Sequence, residues 1–207
     1  QWNDNDGGCK GACDRVPHTD MTQWNLDQFC KDKSCIDDVN FYRLDNVLDG
    51  LKQDTVLVIH LMGSHGPAYY RRYPDNFRKF TPTCDTNEIQ DCDHQALMNT
   101  YDNTILYTDS VVSKTIDALK ARQSTLNTAL VYLSDHGESL GENGLYLHGT
   151  PYMLAPEQQT HIPFIFWLSK DYQQNFGVDA QCLRDQAAKE AVSQDNLFST
   201  VLGMMNI

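Results

Sequence analysis

Apolar residues along the chain fall into two kinds of pattern. Three short runs are rich in β-branched and aromatic side chains and are bounded by polar or glycine-containing segments: residues 55–61, 129–133 and 162–168. Runs of this length and composition predict buried strands. Pro163 is expected at the start or at the edge of the last strand, because proline cannot donate a hydrogen bond to a neighbouring strand.

Between these runs, apolar residues recur at intervals of three and four. This spacing predicts helices at residues 41–53, 93–122 and 194–205, with Asp93 as the N-cap of the longest. In that helix the positions expected to face the core are Leu97, Tyr101, Ile105, Thr108, Val112, Ile116 and Leu119. Because strands and helices alternate, we predict an α/β fold with a mostly parallel sheet and helices on both faces.

The segment after the second predicted strand combines potential metal ligands with glycines. Asp135 and His136 follow the strand directly, and His148 lies near the end of the glycine-rich stretch 134–149. Ligand sites in α/β proteins collect at the carboxyl ends of strands, and a carboxylate and an imidazole can both bind zinc. The alternative is that Asp135 caps a turn and His136 is a surface residue.

A second loop of the same kind follows the first predicted strand. His65 stands beside glycine in residues 62–67, just past the strand end, and is a candidate active-site group. His60 lies inside the strand and, judged alone, is more typical of a hydrogen-bonded core histidine. Two strands that both end in His-Gly loops are expected to direct those loops to one edge of the sheet.

These loops carry a resemblance to a known family. Residues 134–149 and 63–70 closely resemble the periplasmic domain of lipid A phosphoethanolamine transferases, the chromosomal and mobile colistin-resistance enzymes of the alkaline phosphatase and sulfatase superfamily. Residues 79–84, 99–104 and 193–198 match the same family. The resemblance implies an alkaline phosphatase/sulfatase-like fold. It also implies zinc-dependent transfer of phosphoethanolamine from phosphatidylethanolamine to a lipid A phosphate, through a covalent threonine intermediate, giving polymyxin and colistin resistance.

The resemblance assigns roles to individual residues. By the family pattern Asp135 and His136 are zinc ligands, for one zinc ion or two. The residues implied to be catalytic are Lys10, His65 and His148. The residues implied to bind the substrate are Lys10, His60, His65 and His148. Glu138 and Glu142 are expected to hold the loop or to support the ligands rather than to bind the metal themselves.

The chain also departs from the family pattern. No threonine in residues 1–207 stands in the family's nucleophile motif, and the upstream acidic ligand and the membrane-spanning helices have no counterpart. No window of about 18 apolar residues is present. We therefore expect residues 1–207 to be one domain, the C-terminal part of a soluble periplasmic catalytic domain truncated on its N-terminal side and inactive alone. The full-length enzyme is expected at the periplasmic face of the inner membrane.

Cysteine spacing indicates an oxidising compartment. Six of the seven cysteines form near pairs, Cys9 with Cys13, Cys30 with Cys35 and Cys84 with Cys92, and Cys182 is left alone. Close pairs in polar loops favour short-loop disulfides, and the family resemblance places bridges at the same spacings. The alternative, a zinc knuckle, lacks the usual CxxC pair.

Net charge limits the partners. A value of −12 argues against non-specific nucleic-acid binding, so no nucleic-acid partner is expected. The resemblance implies three partners: phosphatidylethanolamine, lipid A and the inner membrane. We expect the protein to be a monomer. The basic residues Arg71, Arg72, Arg78 and Lys79 are either a solvated face or a contact for acceptor phosphate or the bilayer surface. Two other functions stay open: a related sulfatase or phosphatase-type hydrolase, and a non-catalytic zinc or headgroup binder.

Overall fold

The secondary structure alternates short strands with helices. In the computed structural model, residues 1–9, 11–32 and 34–207 are described, so the candidate Lys10 lies outside the described residues. The strands are β1 (Trp2–Asp4), β2 (His18–Asp20), β3 (Cys30–Lys31), β4 (Ser34–Cys35), β5 (Val58–His60), β6 (Ala129–Leu133), β7 (Ser139–Leu140), β8 (Tyr146–Leu147) and β9 (Phe164–Leu168). The α-helices are α1 (Leu44–Asp49), α2 (His94–Lys120), α3 (Glu157–Thr160), α4 (Lys170–Asn175), α5 (Ala180–Ala187) and α6 (Asn196–Met204). Two compact units share these elements: Gln1–Lys114 with Gly137–His161, and Thr115–His136 with Ile162–Ile207.

The first unit contains a three-stranded parallel sheet. The strand order is β2-β1-β5, and β1 pairs in parallel with both neighbours. Asp4 and His60 are register partners at the carboxyl ends of β1 and β5. The α/β class with a parallel sheet is therefore confirmed, although β5 is shorter than the predicted 55–61 and α1 is shorter than the predicted 41–53.

Helix α2 begins as the sequence predicts, and the carboxylate of Asp93 accepts a hydrogen bond from the amide of Ala96 at 3.1 Å. The predicted core face of this helix is partly wrong, because Ile105 is 47% exposed. The buried positions in its first half instead include four polar residues, Asn99, Thr100, Asn103 and Thr104.

Three of these residues, Asn99, Thr100 and Asn103, bind a loop that has no regular structure of its own. Asn103 accepts hydrogen bonds from the amides of Lys79 and Phe80 through Oδ1, and its Nδ2 donates to the Phe80 carbonyl. Thr100 Oγ1 accepts from the amide of Cys84 at 2.7 Å. The segments 79–84 and 99–104, both part of the family resemblance, thus form one hydrogen-bonded assembly.

The second unit contains a two-stranded antiparallel sheet. Strands β6 and β9 pair from Ala129 with Leu168 to Leu133 with Phe164, and Pro163 directly precedes β9 as predicted. Antiparallel pairing differs from the parallel arrangement expected for these two strands. A parallel neighbour needs a crossover that returns the chain, usually a helix, and the only α-helix between β6 and β9 among the described residues is the four-residue α3.

Three disulfides close the loops of the first unit. They join Cys9 to Cys13, Cys30 to Cys35 and Cys84 to Cys92, which confirms the predicted pairing and replaces the zinc-knuckle alternative. The Cys30–Cys35 bridge links register partners of β3 and β4. Cys182 is exposed and has no disulfide partner among the described residues. In the same ranges of the chain, we find no helix with the length and apolar character needed to cross a bilayer.

Candidate functional site

The first unit brings His65 and His148 together. Their ring centroids lie 5.0 Å apart at an angle of 63°. Each ring uses Nδ1 within the protein: that of His65 donates to the Gly66 carbonyl at 2.8 Å, and that of His148 donates to Glu138 Oε1 at 3.2 Å. Since both acceptors are oxygens without a proton to give, each Nδ1 carries the hydrogen. Nε2 is then the atom through which either histidine can reach a ligand.

Glu138 is the buried carboxylate that connects these two loops. Besides His148, it accepts a hydrogen bond from the amide of Gly66 at 3.1 Å and one from the Tyr69 hydroxyl at 3.0 Å. Its side chain is only 4% exposed. Burial and the neighbouring carboxylate raise the pKa of Tyr69, so its hydroxyl stays protonated and remains a donor. The expectation that Glu138 holds the loop is confirmed by these contacts.

At two positions beside the histidines, neighbouring atoms come too close for any residue with a Cβ, so only glycine fits. A Cβ at Gly66 would overlap the side chains of Leu147 and Tyr69, and a Cβ at Gly137 would overlap the carbonyl oxygen of Gln158. The amide of Gly137 also donates to the Gln159 carbonyl at 3.0 Å. The glycines that the sequence places beside the histidines therefore allow loops to pack against one another.

Asp37 and Arg72 fix the loop that carries His65. The buried carboxylate of Asp37 accepts from the amides of Met62 and Gly63 at 2.8 and 2.9 Å and from Asn5 Nδ2. Burial raises the pKa of Asp37, and these hydrogen bonds act in the opposite direction. Arg72 Nε donates to the His65 carbonyl at 2.7 Å.

The basic residues after His65 are mostly paired inside the protein. Besides Arg72, Arg78 forms an ion pair with Asp85 at 2.8 Å, and Arg71 lies 3.8 Å from Asp32. Both are partly exposed, so these pairs are worth little in stability. The position of Arg72 against the His65 loop gives it a structural contact that neither sequence interpretation included.

His60 forms a pair with a residue that the sequence analysis missed. Its Nδ1 lies 2.6 Å from Oδ1 of Asp4, whose side chain is 3% exposed, while the His60 side chain is 31% exposed. Asp4 Oδ2 also accepts from the amide of Gly8. The available signal was position: Asp4 ends β1 as His60 ends β5, and parallel strands in register bring such ends together.

Asp135 and His136 belong to the second unit, directly after β6. Asp135 Oδ2 and His136 Nε2 lie 3.7 Å apart, and the Asp135 side chain is 79% exposed. In a tetrahedral zinc site, ligand bonds of about 2.1 Å place two ligand atoms roughly 3.4 Å apart. The observed separation is close to this value, so the pair could occupy two ligand positions of one zinc ion.

Polar contacts hold this turn in place. The Ser134 hydroxyl donates to the His136 carbonyl at 2.6 Å. The side-chain amide of Gln194 donates to the carbonyls of Ser134 and Asp135 at 3.1 and 2.6 Å. Gln194 lies in the segment 193–198, which also resembles the family. Its hydrogen bonds join that segment to the turn that carries Asp135 and His136.

The remaining histidines have surface positions. The side chain of His161 is 79% exposed and lies 3.3 Å from Glu157, one helical turn away. His18 and His94 are also exposed, as expected. None of these three has the buried carboxylate partner seen for His60 and His148 among the described residues.

Comparison with known proteins extends over the whole chain. Phosphoethanolamine transferase EptA of Salmonella typhimurium is 60% identical over 206 residues, which are 100% of this chain and 38% of that protein. The chain therefore spans well under half the length of this relative. The soluble domain of lipooligosaccharide phosphoethanolamine transferase A from Neisseria meningitidis superposes with a TM-score of 0.95 at 52% identity, covering 99% of this chain and 61% of that one.

A structure of lower similarity to this chain was solved with a bound metal. The periplasmic domain of EcEptC from Escherichia coli, solved as a complex with zinc, has a TM-score of 0.64 and 25% identity over 84% of this chain and 49% of that one. Residues 1–207 also match the family described as sulfatase, from the first residue to the last. Because this match covers the whole chain, the chain belongs to the sulfatase family.

Proposed function

We propose that the protein containing this chain transfers phosphoethanolamine from phosphatidylethanolamine to a phosphate of lipid A. The observation that carries the proposal is the 52% identity and TM-score of 0.95 with a lipooligosaccharide phosphoethanolamine transferase. The reaction would take place at the periplasmic face of the inner membrane. By reducing the negative charge of lipid A, it would confer resistance to polymyxins such as colistin.

The histidine pair of the first unit is assigned to the phosphate. His65 and His148 each commit Nδ1 to the protein, so each can donate a hydrogen bond from Nε2 to a phosphoryl oxygen when protonated there. Glu138 keeps His148 oriented through its contact with Nδ1. Lys10 and His60 are assigned to the same substrate, Lys10 as a positive charge and His60 as a group oriented by Asp4.

Zinc is assigned to Asp135 and His136, for one ion or two in total. Their ligand atoms are separated by close to the distance between two ligands of one ion, and the related EcEptC domain was solved with zinc. Bound zinc lowers the pKa of a coordinated hydroxyl and neutralises charge on phosphoryl oxygens. The family pattern makes that hydroxyl a threonine that forms the covalent intermediate, and no threonine of residues 1–207 stands in the corresponding motif.

The test is headgroup transfer by a protein that contains both this chain and the threonine segment of its relatives. Fluorescent phosphatidylethanolamine and lipid A are incubated with it, and the products are identified by mass. We expect lipid A to gain phosphoethanolamine, and His136→Ala to abolish the transfer. His161→Ala serves as the control, because His161 lies on the surface and pairs only with Glu157 among the residues described. Lipid A of unchanged mass would refute the proposal.

The second candidate is a hydrolase, which the match to the sulfatase family favours. The same assay separates the two. A hydrolase acting on phosphatidylethanolamine releases free phosphoethanolamine, with lipid A unchanged, whereas a transferase yields diacylglycerol and modified lipid A in equal amounts.

A further inference from the structure

A small open cavity lies in the first unit, beside the disulfide-bridged segment that follows β2. Its volume is about 280 Å³, and it is lined by Trp24, Leu26, Tyr42 and Arg43. The described residues that line it include no carboxylate. The cavity is therefore aromatic and cationic, in a chain whose net charge is −12.

Arg43 supplies the charge of this cavity. Its guanidinium carbon lies 5.5 Å from the ring centroid of Trp24 and 5.7 Å from that of Tyr42. Within the described ranges, no hydrogen bond or ion pair joins this guanidinium to another residue. Arg71 and Arg78, in contrast, each lie within 4.0 Å of a carboxylate. The N–H groups of Arg43 thus remain available to an external acceptor.

The walls of the cavity are held by the interior of the unit. Trp24 and Leu26 pack against a buried cluster of Met21, Cys35 and Val39. Asp20 caps the short helix Met21–Trp24 by accepting from the amide of Thr22 at 2.9 Å. Because the aromatic surface exists before any ligand arrives, binding needs little ordering of the protein.

We infer that this cavity binds the phosphate of a membrane-lipid headgroup. The planar fork of arginine matches the oxygens of a phosphate, and aromatic faces behind it hold the fork in place. Tryptophan and tyrosine favour the membrane–water interface, where such headgroups lie. A protein of net charge −12 is repelled by an anionic surface, so contact requires a local cation such as Arg43. The choice of a lipid rests on the proposed function, whereas the anion site rests on the cavity.

The test uses the 207-residue chain and two probes. Vesicles of phosphatidylethanolamine with phosphatidylglycerol are sedimented with the protein, and vesicles of phosphatidylcholine alone provide the comparison. Separately, glycerol phosphate is titrated while tryptophan fluorescence is recorded. Arg43→Gln removes the charge, Tyr42→Leu removes one stacking face at a position that is 45% exposed, and Arg15→Gln is the matched control at another exposed arginine.

We expect binding to the anionic vesicles that falls about fivefold in Arg43→Gln, the loss of one interfacial cation, and less than twofold in Arg15→Gln. Tyr42→Leu should also weaken it. Equal losses in both arginine variants would show general surface electrostatics and overturn the inference, as would absence of vesicle binding. Binding of glycerol phosphate without vesicle binding would reassign the site to a soluble anion. None of these measurements depends on catalysis, so their results are independent of the result of the transfer assay.

Discussion

His148 Nδ1 lies 3.2 Å from Oε1 of Glu138, a carboxylate that is 4% exposed and also accepts hydrogen bonds from Gly66 and Tyr69. This single side chain connects the His148 loop to the His65 loop. It stands two residues after His136 in the sequence, so one short segment supplies both a proposed zinc ligand and the support of the two histidines that we propose to face the phosphate.

Replacing Glu138 with glutamine should therefore destabilise the protein. Glutamine has the same shape but one acceptor oxygen, so at least one buried donor loses its partner, at a cost of about 1–3 kcal/mol in the free energy of unfolding. Urea denaturation measures this. The control is Glu157→Gln, since Glu157 is 80% exposed and its ion pair with His161 should contribute little. Equal midpoints for the two variants would contradict the role assigned to Glu138.

The Asp4–His60 pair predicts a specific tautomer. Asp4 accepts from Nδ1, so neutral His60 should carry its proton there, with Nε2 as the unprotonated nitrogen. ¹⁵N NMR of labelled histidine distinguishes the two forms. In Asp4→Asn the side-chain amide can donate to Nδ1, and the proton should move to Nε2. The signals of exposed His94 should not change. An Nε2–H tautomer in the unmodified chain would refute the pairing.

Two glycine-to-alanine changes should act in opposite directions. Gly137→Ala places a Cβ on the carbonyl oxygen of Gln158, which is backbone and cannot move aside cheaply. We expect loss of several kcal/mol or failure to fold. Gly203→Ala lies in α6 with nothing within 4 Å of the new Cβ, and should stabilise the helix by about 0.5–1 kcal/mol. Thermal unfolding followed by circular dichroism compares them, and a harmless Gly137→Ala would show that the loops are not in contact.

Two substitutions in α2, one of a polar residue and one of an apolar residue, test which face of the helix is buried. Asn103→Ala removes the acceptor of two loop amides and should cost about 1–3 kcal/mol. Ile105→Ala changes a side chain that is 47% exposed and should stay within about 0.5 kcal/mol. Denaturant midpoints decide between them. If Ile105→Ala were the more damaging, the face predicted from the apolar periodicity would be the correct one.

Zinc binding should depend on His136. Asp135 and His136 provide two ligands, fewer than the four of a closed zinc site, so calorimetric titration of the chain should show weak binding. His136→Ala should remove most of it, and His161→Ala should not. Binding should also weaken as the pH falls, because a ligating histidine must be neutral. A tight site that survives His136→Ala would show that the ligands are elsewhere.

Features that depend on neighbouring residues could be predicted from the sequence alone. The strand β6 begins and ends at the predicted residues, because an apolar run bounded by polar residues defines both ends. Asp93 caps α2, and the bridges Cys9–Cys13, Cys30–Cys35 and Cys84–Cys92 join residues at most eight apart. Asp135 and His136 are consecutive in the chain, so the end of β6 at Leu133 is enough to place both residues in the loop that follows the strand. In each case the partners are close in the chain, where few alternatives compete.

Features that depend on distant partners required the tertiary structure. Periodicity located α2 but placed exposed Ile105 in its core face, because burial of Asn103 depends on a loop more than 20 residues away that needs hydrogen-bond partners. The pairing of Asp4 with His60 spans 56 residues and depends on the parallel register of β1 with β5. The direction of β9 against β6 depended on the path of the intervening chain. Local sequence limits the conformations of a segment, whereas the choice of its partner is made by packing and by the need to satisfy buried polar groups.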